Sequence, residues 1–343
     1  MRCTDKKDKK QSDRISRRCR KQGKAMCLAY ISLACVLLTG CADTIYEIPY
    51  ESDAEITSFN IIARKKPGTA DAFASKLCIV TEDIMDDESV DMSGAGAAIL
   101  CDVNSKEVLY AKNAHSRLQP ASLTKIMTAL VALKHSSVEQ VLTATNAVNI
   151  TESGAQLCGL KSGDTMTLNQ ALHVLLINSA NDVAMLIAEN VGGSVDGFVE
   201  LMNEEAKALG ATNTNFMNPH GLTQENHYTT AYDLYLIFNE AVQNEFLQEI
   251  IRTMEYQTTY YDKAGQEKKL SVKNTNRFFR DYQAPDHVTV VGGKTGTTNA
   301  AGHCLMLLTR DVNGAPYISV ILRSQSSDVL YPEMIDLLND INK

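Results

Sequence analysis

The 343-residue sequence lacks the patterns that mark metal, cofactor and disulfide sites. Its seven histidines show no His-Glu-x-x-His or comparable spacing, so we expect no metal and no other cofactor. Its nine cysteines show no Cys-x-x-Cys spacing. Four cysteines belong to the body of the chain, and we predict them to be buried free thiols, with a disulfide left open by sequence alone: Cys78, Cys101, Cys158 and Cys304.

The chain also lacks a broad basic surface and a long apolar run. Its formal net charge is −8, and residues 1–24 carry eleven Lys or Arg against three Asp, so the rest of the chain sums to −16. A body this acidic argues against nucleic-acid binding. The apolar stretch at residues 25–38 is interrupted only by Ser32 and is too short to span a membrane comfortably.

Residues 1–40 have the plan of a secretory signal peptide, with a basic leader, a short apolar run and small residues behind it. The junction Leu-Thr-Gly-Cys at residues 38–41 resembles the bacterial lipobox, which implies cleavage before Cys41 and a lipid on that cysteine. The alternative is an uncleaved N-terminal anchor, which the unusual length of the leader favours. Both interpretations place the body outside the cytoplasm, held at the membrane by a flexible tether at residues 41–75.

Three short motifs follow one another along the body: Ser-Leu-Thr-Lys at residues 122–125, Ser-Ala-Asn at 179–181 and Lys-Thr-Gly at 294–296. Residues three apart share a helix face, so the hydroxyl of Ser122 can meet the amine of Lys125, which could take its proton. The second motif adds a proton relay and an amide, and the third offers a cation and backbone N–H groups to an anionic acyl substrate.

Each motif alone is weak evidence. Ser-x-x-Lys is expected about once by chance in a chain this long, and Ser-x-Asn has a second copy at residues 58–60 without catalytic company. The alternative interpretations are a helix N-cap with an exposed lysine, a solvated turn between helices, and a strand-edge lysine before a turn glycine. The order, spacing and flanks of the three motifs favour a common site.

The hydrophobic patterning predicts an α+β fold. A hairpin at residues 96–110 precedes a helix from Ser122 to about residue 133, and a helical subdomain at about residues 140–250 contains a capping box formed by Thr167 and Gln170. The other predicted elements are strands at 77–80, 256–261, 269–272, 288–292, 304–310 and 317–323 and a last helix at 331–341. We expect these strands to form one antiparallel sheet flanked by the first and last helices, with the site between the sheet and the helical subdomain.

The flanks of the motifs carry a family resemblance. They read Pro-Ala-Ser-Leu-Thr-Lys-Ile-Met-Thr at residues 120–128, Ser-Ala-Asn-Asp at 179–182, Asn-Pro-His-Gly-Leu at 218–222 and Lys-Thr-Gly-Thr-Thr at 294–298. The chain thus resembles the serine-type D-alanyl-D-alanine carboxypeptidases, low-molecular-mass penicillin-binding proteins of the β-lactamase/DD-peptidase superfamily. The resemblance implies that fold for a catalytic domain at residues 76–343.

The resemblance also implies roles for individual residues. Ser122 is the expected nucleophile and Lys125 its base, while Ser179 passes a proton towards the leaving D-Ala. The N–H groups of Ser122 and Thr297 are expected to form the oxyanion hole, and Lys294 with Thr297 to receive the terminal carboxylate of the substrate. The substrate-binding residues implied by the resemblance are Asn181, which binds the substrate amide, Lys294, Thr295, Gly296 and Thr297.

Proton transfer to Lys125 requires a neutral amine, whereas a free lysine has a pKa of about 10.4. Burial and the nearby charge of Lys294 both disfavour the ammonium form, so the sequence predicts a lowered pKa for Lys125. Lys294 is expected to remain charged because it meets a carboxylate. His220 is expected to be structural, beside the turn that contains Pro219.

The function implied by the resemblance is removal of the terminal D-Ala from peptidoglycan stem pentapeptides at the cell envelope, with β-lactams as covalent inhibitors. An endopeptidase or transpeptidase would use the same residues. A β-lactamase normally carries a Glu-x-x-Leu-Asn loop, which this sequence lacks, and a penicillin-sensing domain would want a transmembrane partner segment. Two departures from the family pattern are the expected lack of a C-terminal β domain after Lys343 and Ala300, where an acidic residue is usual.

The lipid prediction can be tested on the membrane-bound protein. Mass spectrometry of its N-terminal peptide should find a lipid on Cys41 and no residues before it, because cleavage at a lipobox exposes the modified cysteine. Cys41→Ser should leave the leader uncleaved. Recovery of an intact segment of residues 1–40 from the wild-type protein would refute the prediction.

Overall fold

The computed structural model describes residues 74–85 and 90–341, all of which belong to the unit that runs from Ala70 to Lys343. The predicted signal peptide, Cys41 and the tether up to residue 73 lie outside the described residues. No helix in the described part is long and apolar enough to cross a membrane.

The described residues form nine strands and seven α-helices. The strands are β1 (Ala97–Asp102), β2 (Glu107–Lys112), β3 (Val141–Thr143), β4 (Thr165–Thr167), β5 (Glu255–Tyr261), β6 (Glu267–Lys273), β7 (Thr289–Thr298), β8 (Gly302–Arg310) and β9 (Pro316–Ser324). The helices are α1 (Thr124–His135), α2 (Leu168–Ile177), α3 (Asn181–Gly192), α4 (Val195–Ala208), α5 (Ala231–Ala241), α6 (Glu245–Arg252) and α7 (Ser327–Leu338).

The central sheet has five antiparallel strands in the order β2-β1-β9-β8-β7. Strands from the two ends of the chain are neighbours in it, since Ile99 of β1 lies opposite Val320 of β9. The prediction that N- and C-terminal strands share one antiparallel sheet is confirmed.

Helices cover both faces of this sheet. Because side chains alternate along a strand, Ile99 belongs to the same core as Met127 of α1, whereas Leu100 belongs to the core that contains Met334 of α7. Burial on both faces explains why β1 is a continuous apolar run rather than an alternating one. The first and last helices therefore flank the sheet, as predicted.

A second, four-stranded sheet in the order β3-β4-β5-β6 was not predicted, and its strands β3 and β4 lie within residues 140–250, which were predicted to form a helical subdomain. The expectation that residues 256–261 and 269–272 join the central sheet is wrong, because β5 pairs with β4 through Tyr261 and Thr165. Strands β3 and β4 have only three residues each. So short a strand shows no sequence periodicity, and its pairing depends on residues far away in the chain.

Three element boundaries also differ from expectation. Residues 77–80 form no strand, although Cys78 there is buried and its N–H donates to the Tyr235 hydroxyl at 2.9 Å. Strand β7 extends through the Lys-Thr-Gly motif rather than ending at residue 292. Two adjacent glycines made this strand hard to predict, and they are needed because a Cβ at Gly293 would lie 2.0 Å from the Met306 carbonyl oxygen. The last helix begins at Ser327, four residues early.

The four cysteines of the body are free thiols, as predicted. Three are buried, and Cys158 is partly exposed.

The predicted capping box at the start of α2 is present and can be tested. Thr167 Oγ1 accepts a hydrogen bond from the Gln170 N–H, and the Gln170 side chain accepts one from the Thr167 N–H at 2.8 Å. Thr167→Ala should lower the free energy of unfolding by about 1 kcal/mol, because it leaves a helix-terminal N–H without its partner. Thr167→Ser should retain most of the stability in urea unfolding, and equal stability of the wild type and the alanine variant would contradict the cap.

Candidate active site

Ser122 lies in a single 3-10 turn, Ala121–Leu123, that runs directly into α1. The α-helix therefore begins at Thr124 rather than at Ser122 as predicted. Ala121 and Leu123 are buried on either side, whereas Ser122 is partly exposed. Ala121 has a positive φ of 49°, an uncommon conformation for a residue other than glycine. The turn thus presents the Ser122 side chain between two anchored neighbours.

The Lys125 amine is fully buried and lies within hydrogen-bond distance of three oxygens. They are Ser122 Oγ at 2.8 Å, Asn181 Oδ1 at 2.6 Å and the His220 carbonyl at 2.6 Å. A neutral amine has two N–H groups and one lone pair. The amide and the carbonyl can only accept, so a neutral Lys125 directs its lone pair at the Ser122 hydroxyl, and such an amine can take the hydroxyl proton.

The surroundings of Lys125 favour the neutral form. Burial is the main reason that its pKa lies well below the usual value, the positive charge of Lys294 lowers it further, and Asp182 opposes both effects. The direction and both causes agree with the sequence prediction.

Ser179 and Lys294 form a second pair beside the first. Lys294 Nζ donates to Ser179 Oγ at 2.9 Å and to the Thr295 carbonyl at 2.8 Å. Burial lowers the pKa of Lys294 to about 7 in the free protein, whereas the expected charge of Lys294 depends on contact with a substrate carboxylate. Ser179 lies between α2 and α3 with a positive φ of 65°, and it is buried rather than placed in a solvated turn.

Strand β7 packs directly against the turn that carries Ser122. A Cβ at Gly296 would lie 2.9 Å from the Ser122 nitrogen, so any side chain there would fill the space beside that N–H. Thr295 is fixed from the other side, because its hydroxyl lies 2.6 Å from the hydroxyl of Thr275. Thr297 follows with an exposed side chain. The Lys-Thr-Gly motif therefore forms one wall of the site.

A cavity of about 310 Å³ opens between these elements. Five of the predicted site residues line it: Ser122, Ser179, Thr295, Gly296 and Thr297. The remaining three, Lys125, Asn181 and Lys294, are buried and bonded to the site as described above. Among the described residues no Asp or Glu lines this cavity, whereas Arg277 does, so its lining suits an anionic ligand. In the described part of the chain no cluster of His, Cys, Asp and Glu could hold a metal ion.

Several residues that line the cavity were not predicted. Those with polar side-chain N or O atoms are Gln156, Thr275, Arg277, His303, Ser327 and Tyr331. The sequence could have indicated His303, because a tight turn after Lys-Thr-Gly-Thr-Thr places it opposite Thr297. Its Nδ1 lies 3.3 Å from the Thr297 hydroxyl. No sequence pattern indicated Arg277, since its position depends on the ion pair with Asp281 at 2.9 Å and on the contact with the ring of Tyr282.

Asp182 positions the loop that carries Gln156. Its carboxylate accepts N–H bonds from Cys158 at 3.1 Å, Gly159 at 2.8 Å and Leu160 at 3.0 Å. The next residue back, Asn181, donates its N–H to the Gln156 carbonyl at 2.8 Å. The start of α3 thus holds both an acceptor for Lys125 and one rim of the cavity.

His220 and Ala300 occupy positions that fit minor roles. The His220 ring accepts an N–H bond from Leu222 at 3.1 Å, and burial lowers the pKa of the ring to about 3. The ring therefore stays neutral and supports the turn, as predicted, while its backbone carbonyl serves Lys125. Ala300 is exposed in the turn between β7 and β8.

Comparisons with known proteins identify the family of the chain. The sequence profile of the family described as D-alanyl-D-alanine carboxypeptidase matches residues 85–326. The D-alanyl-D-alanine carboxypeptidase DacF of Bacillus subtilis is 37% identical over 217 residues, which cover 62% of this chain and 53% of that protein. DacC of Escherichia coli, with the same description, is 33% identical over 266 residues, covering 75% of this chain and 62% of that protein.

A solved structure shows the same fold. The crystal structure of the Streptomyces K15 DD-transpeptidase superposes with a TM-score of 0.67 and 27% sequence identity, covering 72% of this chain and 96% of that one. The present chain spans 53% and 62% of the length of the two curated relatives. Since the family profile matches well over half of the sequence, including all three motifs, the chain belongs to the D-alanyl-D-alanine carboxypeptidase family.

Proposed function

We propose that this protein is a penicillin-sensitive serine carboxypeptidase that removes the terminal D-Ala from peptidoglycan stem pentapeptides. The observation that carries the proposal is the Lys125 amine, whose two N–H acceptors leave its lone pair directed at the Ser122 hydroxyl 2.8 Å away. Family membership supports the substrate class.

The proposed reaction begins with transfer of the Ser122 proton to Lys125. The Ser122 oxygen attacks the carbonyl carbon of the penultimate D-Ala, and the N–H groups of Ser122 and Thr297 stabilise the oxyanion. The C–N bond then breaks, and the departing amine takes a proton through Ser179. Water hydrolyses the acyl-enzyme, which releases the shortened peptide and restores the Ser122 hydroxyl.

The substrate carboxylate has a natural place at Lys294 and Thr297. A bound carboxylate favours the charged form of Lys294, whose pKa burial holds at about 7 in the free protein. Substrate binding would therefore charge Lys294 at neutral pH. That charge next to Lys125 would in turn favour the neutral base, since Lys294 lowers the pKa of Lys125.

The same residues could transfer the acyl group from a cross-linked peptide or to an amine acceptor, so endopeptidase and transpeptidase activities are the alternatives. They differ only in the leaving group and the acceptor. A β-lactamase is less well supported, because in the part of the chain that the structure describes no carboxylate lines the cavity to activate water for deacylation. A penicillin-sensing domain would acylate in the same way but would not turn over the peptide.

The proposed substrate lies outside the cytoplasm, which agrees with the export predicted from residues 1–40. We propose that a lipid on Cys41 holds the catalytic domain at the outer face of the membrane. The support for the anchor is the sequence at residues 38–41.

The activity can be tested with a pentapeptide that ends in D-Ala-D-Ala. The protein should release D-Ala, and Ser122→Ala should lower the rate by on the order of 10⁴-fold or more because the nucleophile is removed. Ser105→Ala, in the turn between β1 and β2, should match the wild type. Absence of release, or release that survives Ser122→Ala, would refute the proposal, and a cross-linked peptide cleaved in preference would favour the endopeptidase.

The state of Lys125 can be tested by the pH dependence of acylation by penicillin. A base is active only when deprotonated, so the rate should rise with pH and reach its plateau well below pH 10 because the pKa of Lys125 is lowered. Lys294→Gln removes a nearby positive charge and should move the rising limb to higher pH. An acylation rate of the wild type that rises only around the pKa of free lysine, about 10.4, would contradict the assignment of Lys125 as the base.

A further inference from the structure

Ala121, the residue before Ser122, has a backbone conformation that requires support. Its φ of 49° is in the left-handed region, where a Cβ is crowded by the backbone. Such a residue persists only where its surroundings hold it in place. The peptide that links Ala121 to Ser122 contains the Ala121 carbonyl and the Ser122 N–H, which point in opposite directions because the unit is planar and trans. A contact that directs the carbonyl therefore directs the N–H proposed for the oxyanion hole.

The Ala121 carbonyl accepts hydrogen bonds from the backbone N–H of Thr124 and from the buried hydroxyl of the same residue. Thr124 Oγ1 donates to it at 2.8 Å, and Thr124 has no exposed surface. Gly221 packs on the same oxygen, since a Cβ at Gly221 would lie 1.9 Å from it. On the opposite side of the peptide, Gly296 leaves space beside the Ser122 nitrogen. The carbonyl end is thus packed, while the N–H end adjoins β7.

His227 determines which way the Thr124 hydroxyl points. The His227 Nδ1 accepts an N–H bond from Met217 at 3.2 Å, so the ring proton is on Nε2. Nε2 lies 3.0 Å from Thr124 Oγ1 and must donate to it. A hydroxyl that accepts from His227 has its own proton free for the Ala121 carbonyl. Burial keeps the ring neutral, with its pKa lowered to about 4.

Resting on the proposed acyl transfer, we propose that His227 and Thr124 are positioning residues that aim the Ser122 N–H at the oxyanion. Neither side chain is among those that line the cavity. The hydrogen-bond chain runs from His227 Nε2–H to Thr124 Oγ1–H and on to the Ala121 carbonyl. Its effect should fall on the acylation step rather than on ligand binding, because the oxyanion forms only in the transition state.

The chain offers a matched control one helical turn further on. Thr128 is equally buried, and its hydroxyl donates to the Pro219 carbonyl at 2.6 Å. Thr128→Val removes a buried hydroxyl-to-carbonyl bond of the same kind without touching Ala121. If Thr124 were merely structural, Thr124→Val and Thr128→Val would change stability and acylation alike.

The experiment measures the acylation rate constant with a penicillin and the dissociation constant of the initial penicillin complex. The unfolding midpoint of each variant is measured separately. Thr124→Val should slow acylation by about 10- to 100-fold, since small misplacement of a catalytic group has effects of this size. The dissociation constant should stay within threefold, Thr124→Ser should restore most of the rate, and Thr128→Val should acylate at close to the wild-type rate. Equal acylation by Thr124→Val and Thr128→Val would overturn the inference.

A second pair of variants decides the case if Thr124→Val does not fold. His227→Gln can place an N–H donor near Nε2 and should retain most of the acylation rate, whereas His227→Phe should lose it. The carbonyl stretch of the acyl-enzyme should also move to higher frequency in His227→Phe, because a weaker oxyanion hole polarises the carbonyl less. Equal rates and frequencies in the two variants would overturn the inference, whereas a wild-type protein that does not acylate would overturn the proposed function itself.

Discussion

The burial of the Lys125 amine is the constraint on which the site depends. A buried amine is destabilised unless every N–H finds an acceptor, and the charged form is disfavoured most. The two acceptors are Asn181 Oδ1 at the start of α3 and the His220 carbonyl, while the Ser122 hydroxyl lies on the side of the lone pair. These elements can meet only if the helical region closes against the turn before α1. The packing of the domain therefore also sets the surroundings of the Lys125 amine.

Close backbone approaches follow from that closure. Gly221 and Gly296 lie on opposite sides of the turn that carries Ser122, and neither position has room for a side chain. Ala121 and Ser179 have positive φ angles although they are not glycines. Strained residues of this kind persist where the surroundings over-determine them, often at functional sites. The strain beside Ser122 and at Ser179 itself indicates a site shaped by its neighbours rather than by local preference.

Sequence patterning was sufficient where the signal was local or strongly apolar. The apolar run of β1, the capping box of α2 and the antiparallel pairing of the two chain ends were all predicted correctly. Patterning failed for β3 and β4, because strands of three residues show no periodicity. It also failed for residues 77–80, whose apolar sequence resembles that of a strand although the segment packs against Tyr235 without forming one. The predicted β7 was also too short, because the glycines of this strand are required by packing and not favoured by strand preference.

The sequence by itself named the side chains of the candidate site, since Ser122 and Lys125 lie three residues apart on one turn and the family motifs name their companions. Only the tertiary structure decided what surrounds the amine. Asn181 is 56 residues from Lys125, and the His220 carbonyl is 95 residues away. Every residue type has a backbone carbonyl, so the sequence does not indicate which carbonyl accepts a hydrogen bond from Lys125. The direction of that carbonyl, and with it the direction of the lysine lone pair, is set by the packing of the whole domain.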